Sequence, residues 1–152
     1  MVDIVKNDSK KFDCSIAATL DAIGDRWTLL ILRDLFKGVR RFEDIQKDLG
    51  IARNLLSNRL SKLISHSIVI RVPYQERPIR YEYRLTSKGL DLSPFLVALM
   101  HWGDTWCITE GPPTVLVHQG CNTPLEHSVN CPSCSETVSA KNIRSQVGLD
   151  ER

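Results

Sequence analysis

The chain has 152 residues, 42% of them hydrophobic and 25% charged, with 20 Lys or Arg against 18 Asp or Glu and a formal net charge of +2. That balance suits one globular domain with a modest core plus a small appendage, and it excludes a long disordered chain. No run approaches the roughly 20 apolar residues of a membrane-crossing helix, and the polar start from Met1 to Lys11 lacks the apolar stretch of a secretion signal, so a cytoplasmic protein is expected.

Residues 1–13 read as an N-terminal arm. Ile16, Ala17, Leu20 and Ile23 then recur at helical spacing, with Gly24 where the helix would stop. From Trp27 to Phe36 a wider apolar face is formed by Trp27, Leu30, Ile31, Leu35 and Phe36, and Lys37-Gly38 ends it. Phe42, Ile45 and Leu49 predict a third helix. Gly50 breaks the run, and Leu55, Leu56, Leu60, Leu63 and Ile64 begin a fourth. Two helices joined by so short a glycine-containing turn predict a helix-turn-helix.

The fourth helix buries 55, 56, 60 and 63, which turns Arg53, Asn54, Ser57, Asn58, Ser61 and Lys62 outward. Arg and Asn have the donor and acceptor geometry for guanine and adenine edges, Ser can donate or accept, and Lys62 suits a phosphate. Arg59 belongs to the same group of expected DNA contacts. A polar outer face is usually just solvated, but here no acid lies between Asp48 and Glu76, and a basic hairpin follows. That hairpin runs from Ile68 to Val72, through a tip at 74–78, and back from Ile79 to Leu85. On the return strand Tyr81, Tyr83 and Leu85 share one face and Arg80, Glu82 and Arg84 the other. Between Ala52 and Leu85 seven Lys or Arg face two acids, so this segment carries +5 in a chain of +2. Such concentration is the footprint of phosphate attraction. Arg77 and Arg80 are expected on phosphates or in the minor groove.

After Thr86, the residues Leu92, Phe95, Leu96, Leu99, Trp102 and Trp106 form a long apolar stripe, and Ser93-Pro94 either starts a fresh helix or kinks a continuous one. Trp102 and Trp106 either cover the monomer core or, with the first helix, form a homodimer interface; the second reading is preferred because a domain this small has little room for both. Composition shifts at Gly111-Pro112-Pro113, and residues 111–152 read as a C-terminal extension with a flexible tail, following a DNA-binding and dimerisation domain at 14–110. Five cysteines, three of them between Cys121 and Cys134, favour metal or thiol chemistry over a disulfide framework. His118-x2-Cys121, nine residues and Cys131-x2-Cys134 can wrap a tetrahedral Zn²⁺, in the manner of a zinc-ribbon hairpin. His127 is an alternative to His118, and a metal-free β-extension with reduced thiols is the competing reading. Asn122 and Ser135 stand where each knuckle commonly has glycine.

Asp25-Arg26-Trp27-Thr28-Leu29-Leu30-Ile31-Leu32, Gly38, Arg41-Phe42, Leu55-Leu56-Ser57-Asn58-Arg59-Leu60, Pro78, Tyr83-Arg84-Leu85-Thr86, Gly89 and Trp102-Gly103 together resemble the HxlR branch of the MarR-like winged helix-turn-helix transcription regulators. The likeness spans about Cys14 to about Trp106. It implies an α+β fold, a winged helix-turn-helix with added N- and C-terminal dimerisation helices and a small Cys-containing extension. It also implies a homodimer on a pseudo-palindromic operator in double-stranded DNA, with the fourth helix in the major groove and repression as the commoner mode. One departure is Ser67, where the family commonly has glycine after the recognition helix. Relatives often carry a lone cysteine before the first helix that in some senses oxidants or electrophiles, which makes Cys14 a redox-sensor candidate beside its reading as a structural thiol. Cys107 is expected to be inert packing. No cofactor is required for such a protein, structural Zn²⁺ being the one the tail allows, and no enzyme motif is present. The alternative function is a winged-helix protein-interaction module with a structural zinc tail.

Overall fold

The computed structural model describes residues 14–146 of the chain, so the arm expected at 1–13 and the end of the tail at 147–152 lie outside the described residues. The elements run α1 (Ser15–Ile23), α2 (Arg26–Phe36), α3 (Phe42–Leu49), α4 (Arg53–Ser65), β1 (Val69–Glu76), β2 (Ile79–Leu85), α5 (Ser87–Leu90) and α6 (Ser93–Trp106). This is the expected α+β architecture, a helix-turn-helix followed by a two-stranded antiparallel wing. Two compact units divide the chain, one ending at Ser93 and the other beginning at Pro94.

The core of the first unit follows the apolar periodicity, except that on α2 Phe36 is exposed and Leu32 is buried, where Phe36 was expected inward. Ile31, Leu32 and Leu35 of α2, Ile45 of α3, Ile51 in the turn, Leu56, Leu60 and Leu63 of α4, and Ile68 and Val69 at the start of the wing are all buried. Helix α2 is central: it packs against α3, α4 and β2. Its N-terminus is capped by Asp25, whose carboxylate accepts the Thr28 backbone N–H at 3.1 Å and the Thr28 hydroxyl. At its other end Arg33 donates to the buried Asp34 through Nε at 3.0 Å and Nη2 at 2.7 Å, and Nη2 also reaches Asp48 of α3 at 3.1 Å.

Two glycines and one serine set the chain direction. Gly50 ends α3 in the left-handed region, with φ 61°, and lets the chain reverse into α4. Ser67 takes the same kind of conformation after α4, with φ 57°, so the left-handed turn survives without glycine. Its backbone N–H bonds Ile64 O at 2.9 Å, and Ile68 N–H bonds Leu63 O at 3.0 Å. Gly89 in α5 lies so close to β1 that a Cβ would sit 2.3 Å from Ile68 O.

The wing is tighter than the sequence implied. Strand β1 continues through Tyr74 to Glu76, with a register shift between Pro73 and Gln75, and only Arg77 and Pro78 remain in the turn. The bulge absorbs a residue that periodicity alone assigned to the tip. Arg41 also bridges to Glu82, and Tyr83 N–H bonds Arg40 O at 2.8 Å, so the segment before α3 runs beside the wing. Ser93-Pro94 begins a fresh helix, of the two options left open by the sequence.

Candidate nucleic-acid interface

Helix α4 presents its face as the apolar stripe dictates. With Leu56, Leu60 and Leu63 pointing inward, Arg53, Asn54, Ser57 and Asn58 are exposed and Lys62 is partly so. Arg53 lies with its guanidinium 4.8 Å from the centre of the Phe42 ring, a stack that limits its rotamers while leaving its N–H groups free to donate outward. Asn54 Oδ1 accepts the Leu55 backbone N–H at 2.9 Å, leaving the amide NH₂ to donate.

Arg59 is placed differently from its neighbours. It is half-buried, its Nε donates to Asp25 Oδ1 at 2.9 Å, and its Nη1 reaches Asn58 Oδ1 at 3.1 Å. One carboxylate thus caps α2 and clamps α4. Burial pushes the Asp25 carboxyl up, but the hydrogen bonds from Thr28 and the charge and hydrogen bond of Arg59 outweigh it and hold the group below its ordinary value.

Across from α4, the wing contributes Arg80 from the start of β2, and Arg77 sits in the turn, both exposed. Arg71 stacks on Tyr81 at 4.2 Å, and Arg84 is held by Glu82 on its own strand. A cleft of about 1140 Å³ lies between helix and wing, and Arg53, Asn54, Ser57 and Arg80 all line it. Asn58, Arg59, Lys62 and Arg77 do not. Glu43 and Asp44, in the first turn of α3 where the helix dipole favours acids, share the lining, so the cleft is mixed in charge rather than uniformly basic. Among the described residues Arg41, Arg53, Arg77 and Arg80 form no ion pair, so their charge is not quenched internally. Tyr83 lines the cleft as a neutral hydroxyl, its phenol pushed up by burial.

Arg41 and Tyr74 also line the cleft, with the guanidinium 4.5 Å from the ring centre, and neither was among the expected DNA contacts. The available signal was the Arg40-Arg41 pair directly before α3. It lies outside the basic segment, and only the bridge to Glu82 brings it beside the wing.

The cysteines fall in three places. Cys14 is exposed at the N-cap of α1, with no side-chain capping bond. Cys107, expected to be packed, is exposed just after α6, because the helix has already ended. In the extension His118 Nδ1 lies 3.2 Å from Cys121 Sγ. The two pairs expected to share Zn²⁺ stay apart: no group of three or more potential metal ligands gathers among the described residues. His127 pairs with His101, Nδ1 to Nδ1 at 2.8 Å.

A sequence profile described as HxlR-like helix-turn-helix matches residues 22–110. Rv3095 of Mycobacterium tuberculosis, an uncharacterized HTH-type transcriptional regulator, is 44% identical over 135 residues, which cover 88% of this chain and 85% of that one. An alignment of that length extends past residue 110, so the likeness includes part of the extension. Among solved structures, PA1607, a candidate transcription factor, superposes with a TM-score of 0.83 at 36% identity, covering 91% of this chain and 98% of its own. The redox regulator HypR in its oxidized form is similar with a TM-score of 0.56 at 29% identity, covering 60% of this chain and 96% of that one.

Proposed function

The chain belongs to the HxlR-like helix-turn-helix family of transcriptional regulators, and from that premise we propose that it is a homodimeric repressor that reads a pseudo-palindromic operator. It is a transcription regulator and not an enzyme, and its family implies DNA as partner. The observation that carries the finer reading is the cleft in which exposed Arg53, Asn54 and Ser57 of α4 meet Arg80 of the wing. In this reading α4 enters the major groove, where Arg53 and Asn54 address base edges and Ser57 and Asn58 complete the contact. Lys62, Arg77 and Arg80 hold phosphates or the minor groove and set affinity rather than sequence. Arg59 acts from behind, by fixing α4 against the cap of α2.

Two-fold symmetry is supported by apolar surface left open on the elements that would make the interface. Helix α1 exposes Ile16 and Leu20, and α6 exposes Phe95, Leu99, Trp102 and Trp106, one stripe at i, i+4, i+7 and i+11. The domain at 14–110 supplies both reading head and dimer helices, and the cytoplasm, where the chromosome lies, is the proposed location. Cys14 is the proposed redox-responsive thiol, supported by its exposure at a helix N-cap and by the similarity to HypR.

The test is fluorescence anisotropy of the reduced protein on duplex DNA from beside its own gene against a scrambled duplex, across a salt series and before and after a thiol oxidant. Preference for the native duplex, with oxidation changing wild type but not Cys14→Ser, is expected. Equal affinity for both duplexes would remove the operator reading. Binding to neither would leave the protein-interaction module as the better account.

A further inference from the structure

Between α2 and α3 the chain is fastened to the wing at two successive residues. Arg41 pairs with Glu82 in an antiparallel bridge, and Tyr83 N–H bonds Arg40 O at 2.8 Å, so the backbone at 40 and 41 is anchored to β2. From that anchor two neighbouring side chains serve the two sides of the cleft. Arg41 sets its guanidinium 4.5 Å from the centre of the Tyr74 ring on β1, while the Phe42 ring receives the Arg53 guanidinium of α4 at 4.8 Å. Arg41-Phe42 is the joint between wing and α4.

Arg41 also decides the sign of the cleft. Three arginines line it, Arg41, Arg53 and Arg80, against the two acids Glu43 and Asp44. Without Arg41 the lining would be neutral. Arg41 is exposed and forms no ion pair among the described residues, so no carboxylate has to be displaced before it can meet an anion. Stacking engages the face of a guanidinium and leaves its in-plane N–H groups to donate as a fork, the geometry that fits a phosphate. Its place immediately before α3 favours phosphate over base, because the first helix of a helix-turn-helix crosses the sugar-phosphate backbone while the second enters the groove. Tyr74 is partly buried and offers its ring without competing for those donors. A long side chain held in place beforehand loses less entropy on binding, so the contribution of the ring is one of position.

We propose that Arg41 is a DNA phosphate contact at the joint between α4 and the wing, and that Tyr74 is its positioning residue. The proposal rests on the DNA-binding reading above and adds to it a contact from outside the basic segment at 52–85. Because the partner is the sugar-phosphate backbone, Arg41 strengthens binding to every duplex and carries no sequence preference. Arg40 bears the same charge one residue earlier and is exposed, but it does not line the cleft. Position, and not charge alone, separates the two.

The test is binding of the full chain across a salt series, to the duplex from beside its own gene and to a scrambled one. Arg41→Ala is expected to weaken both alike, about fivefold per bound chain near 0.15 M salt, and to lower the slope of log affinity against log salt by about 0.9 per bound chain. Arg41→Lys restores the slope, and Arg40→Ala leaves it nearly unchanged. Tyr74→Leu weakens both duplexes by less than Arg41→Ala and keeps the slope, since the charge remains and only its placement is lost; Tyr74→Phe, which keeps the ring, rescues the affinity. Should Arg41→Ala fail to fold in a thermal melt, Arg41→Gln gives the same reading. A stack with a purely structural role would lower the melting temperature and leave the slope intact, and that result would overturn the contact. Equal slope losses in Arg40→Ala and Arg41→Ala would overturn the site in favour of general charge. The slope is read on scrambled DNA as well, so a wild type without operator preference but with the Arg41 effect sinks the operator reading alone. Native preference kept beside an unchanged slope in Arg41→Ala sinks this proposal alone, and a wild type that binds neither duplex sinks both.

Discussion

Asp25 and Arg59 are a pair in which sequence position and physical role diverge. Arg59 lies on the helix that reads as a DNA-contact element, yet its Nε is 2.9 Å from the carboxylate that caps α2. Asp25→Ala removes the cap and frees Arg59 together, and should cost about 1 to 2 kcal/mol in chemical denaturation at neutral pH. Because the Asp25 carboxyl is held below its ordinary value of 3.8, its contribution is complete above that value and is lost as pH falls through the folded-state value. The stability gap between wild type and variant should therefore narrow in acid, and a gap that persists unchanged would sink the assignment. Asp34 works in the opposite sense. Burial pushes its carboxyl up against the pull of Arg33, so the fold is favoured with Asp34 protonated and loses that advantage as pH rises above 3.8 toward the raised value. On the outer face, Arg53→Ala or Asn54→Ala should cost about 1 to 3 kcal/mol on the operator and relax preference at particular bases. Arg80→Ala should weaken all duplexes alike and flatten the salt dependence, as a phosphate contact does. Competition binding separates the two behaviours, and identical profiles would refute the division of labour.

At the level of elements, α4 and the wing are joined by one strained residue. Ser67 occupies a left-handed turn that glycine enters without penalty, and Thr86 secures it by donating its hydroxyl to Ser67 O at 2.7 Å. Ser67→Gly should raise stability by about 1 kcal/mol, since a non-glycine residue loses about 1 to 2 kcal/mol in that conformation. A melting-temperature rise of roughly 2–4 °C would show it. No change would mean that the lost side-chain constraint on the unfolded chain offsets the relief of strain. The longer helices were legible because each carries a 3.6-residue period, as with Leu56, Leu60 and Leu63, or a stop residue such as Gly50, whereas the four-residue α5 is too short to show one. The wing was legible only in outline. Alternation on β2 marked the strand, but Tyr81 and Arg80 are both exposed and both line the cleft; the register shift between Pro73 and Gln75 left no trace in the pattern, and the strand continued where a tip was expected.

For the whole molecule the open question of assembly turns on α6. Its exposed stripe puts Trp102 at 59% and Trp106 at 74% accessible, apolar surface large enough to mark an interaction face. If α6 forms the proposed dimer interface, Leu99→Glu with Trp102→Glu yields a monomer in sedimentation equilibrium where the wild type is a dimer. Operator affinity should then fall far more than affinity for random DNA, because two linked half-site contacts become one. A double variant that stays dimeric would move the interface elsewhere. The sequence by itself determined the order of helices, the core stripe, the outward polar face of α4 and the concentration of charge between Ala52 and Leu85. Each of these is set by local periodicity and composition, which need no knowledge of what lies across the molecule. Tertiary structure alone decided that Arg59 serves Asp25 and that Arg41 and Tyr74 join Arg53 and Arg80 at one cleft. Those outcomes depend on contacts between residues far apart in the chain, where the nearest partner is chosen by packing and not by sequence spacing.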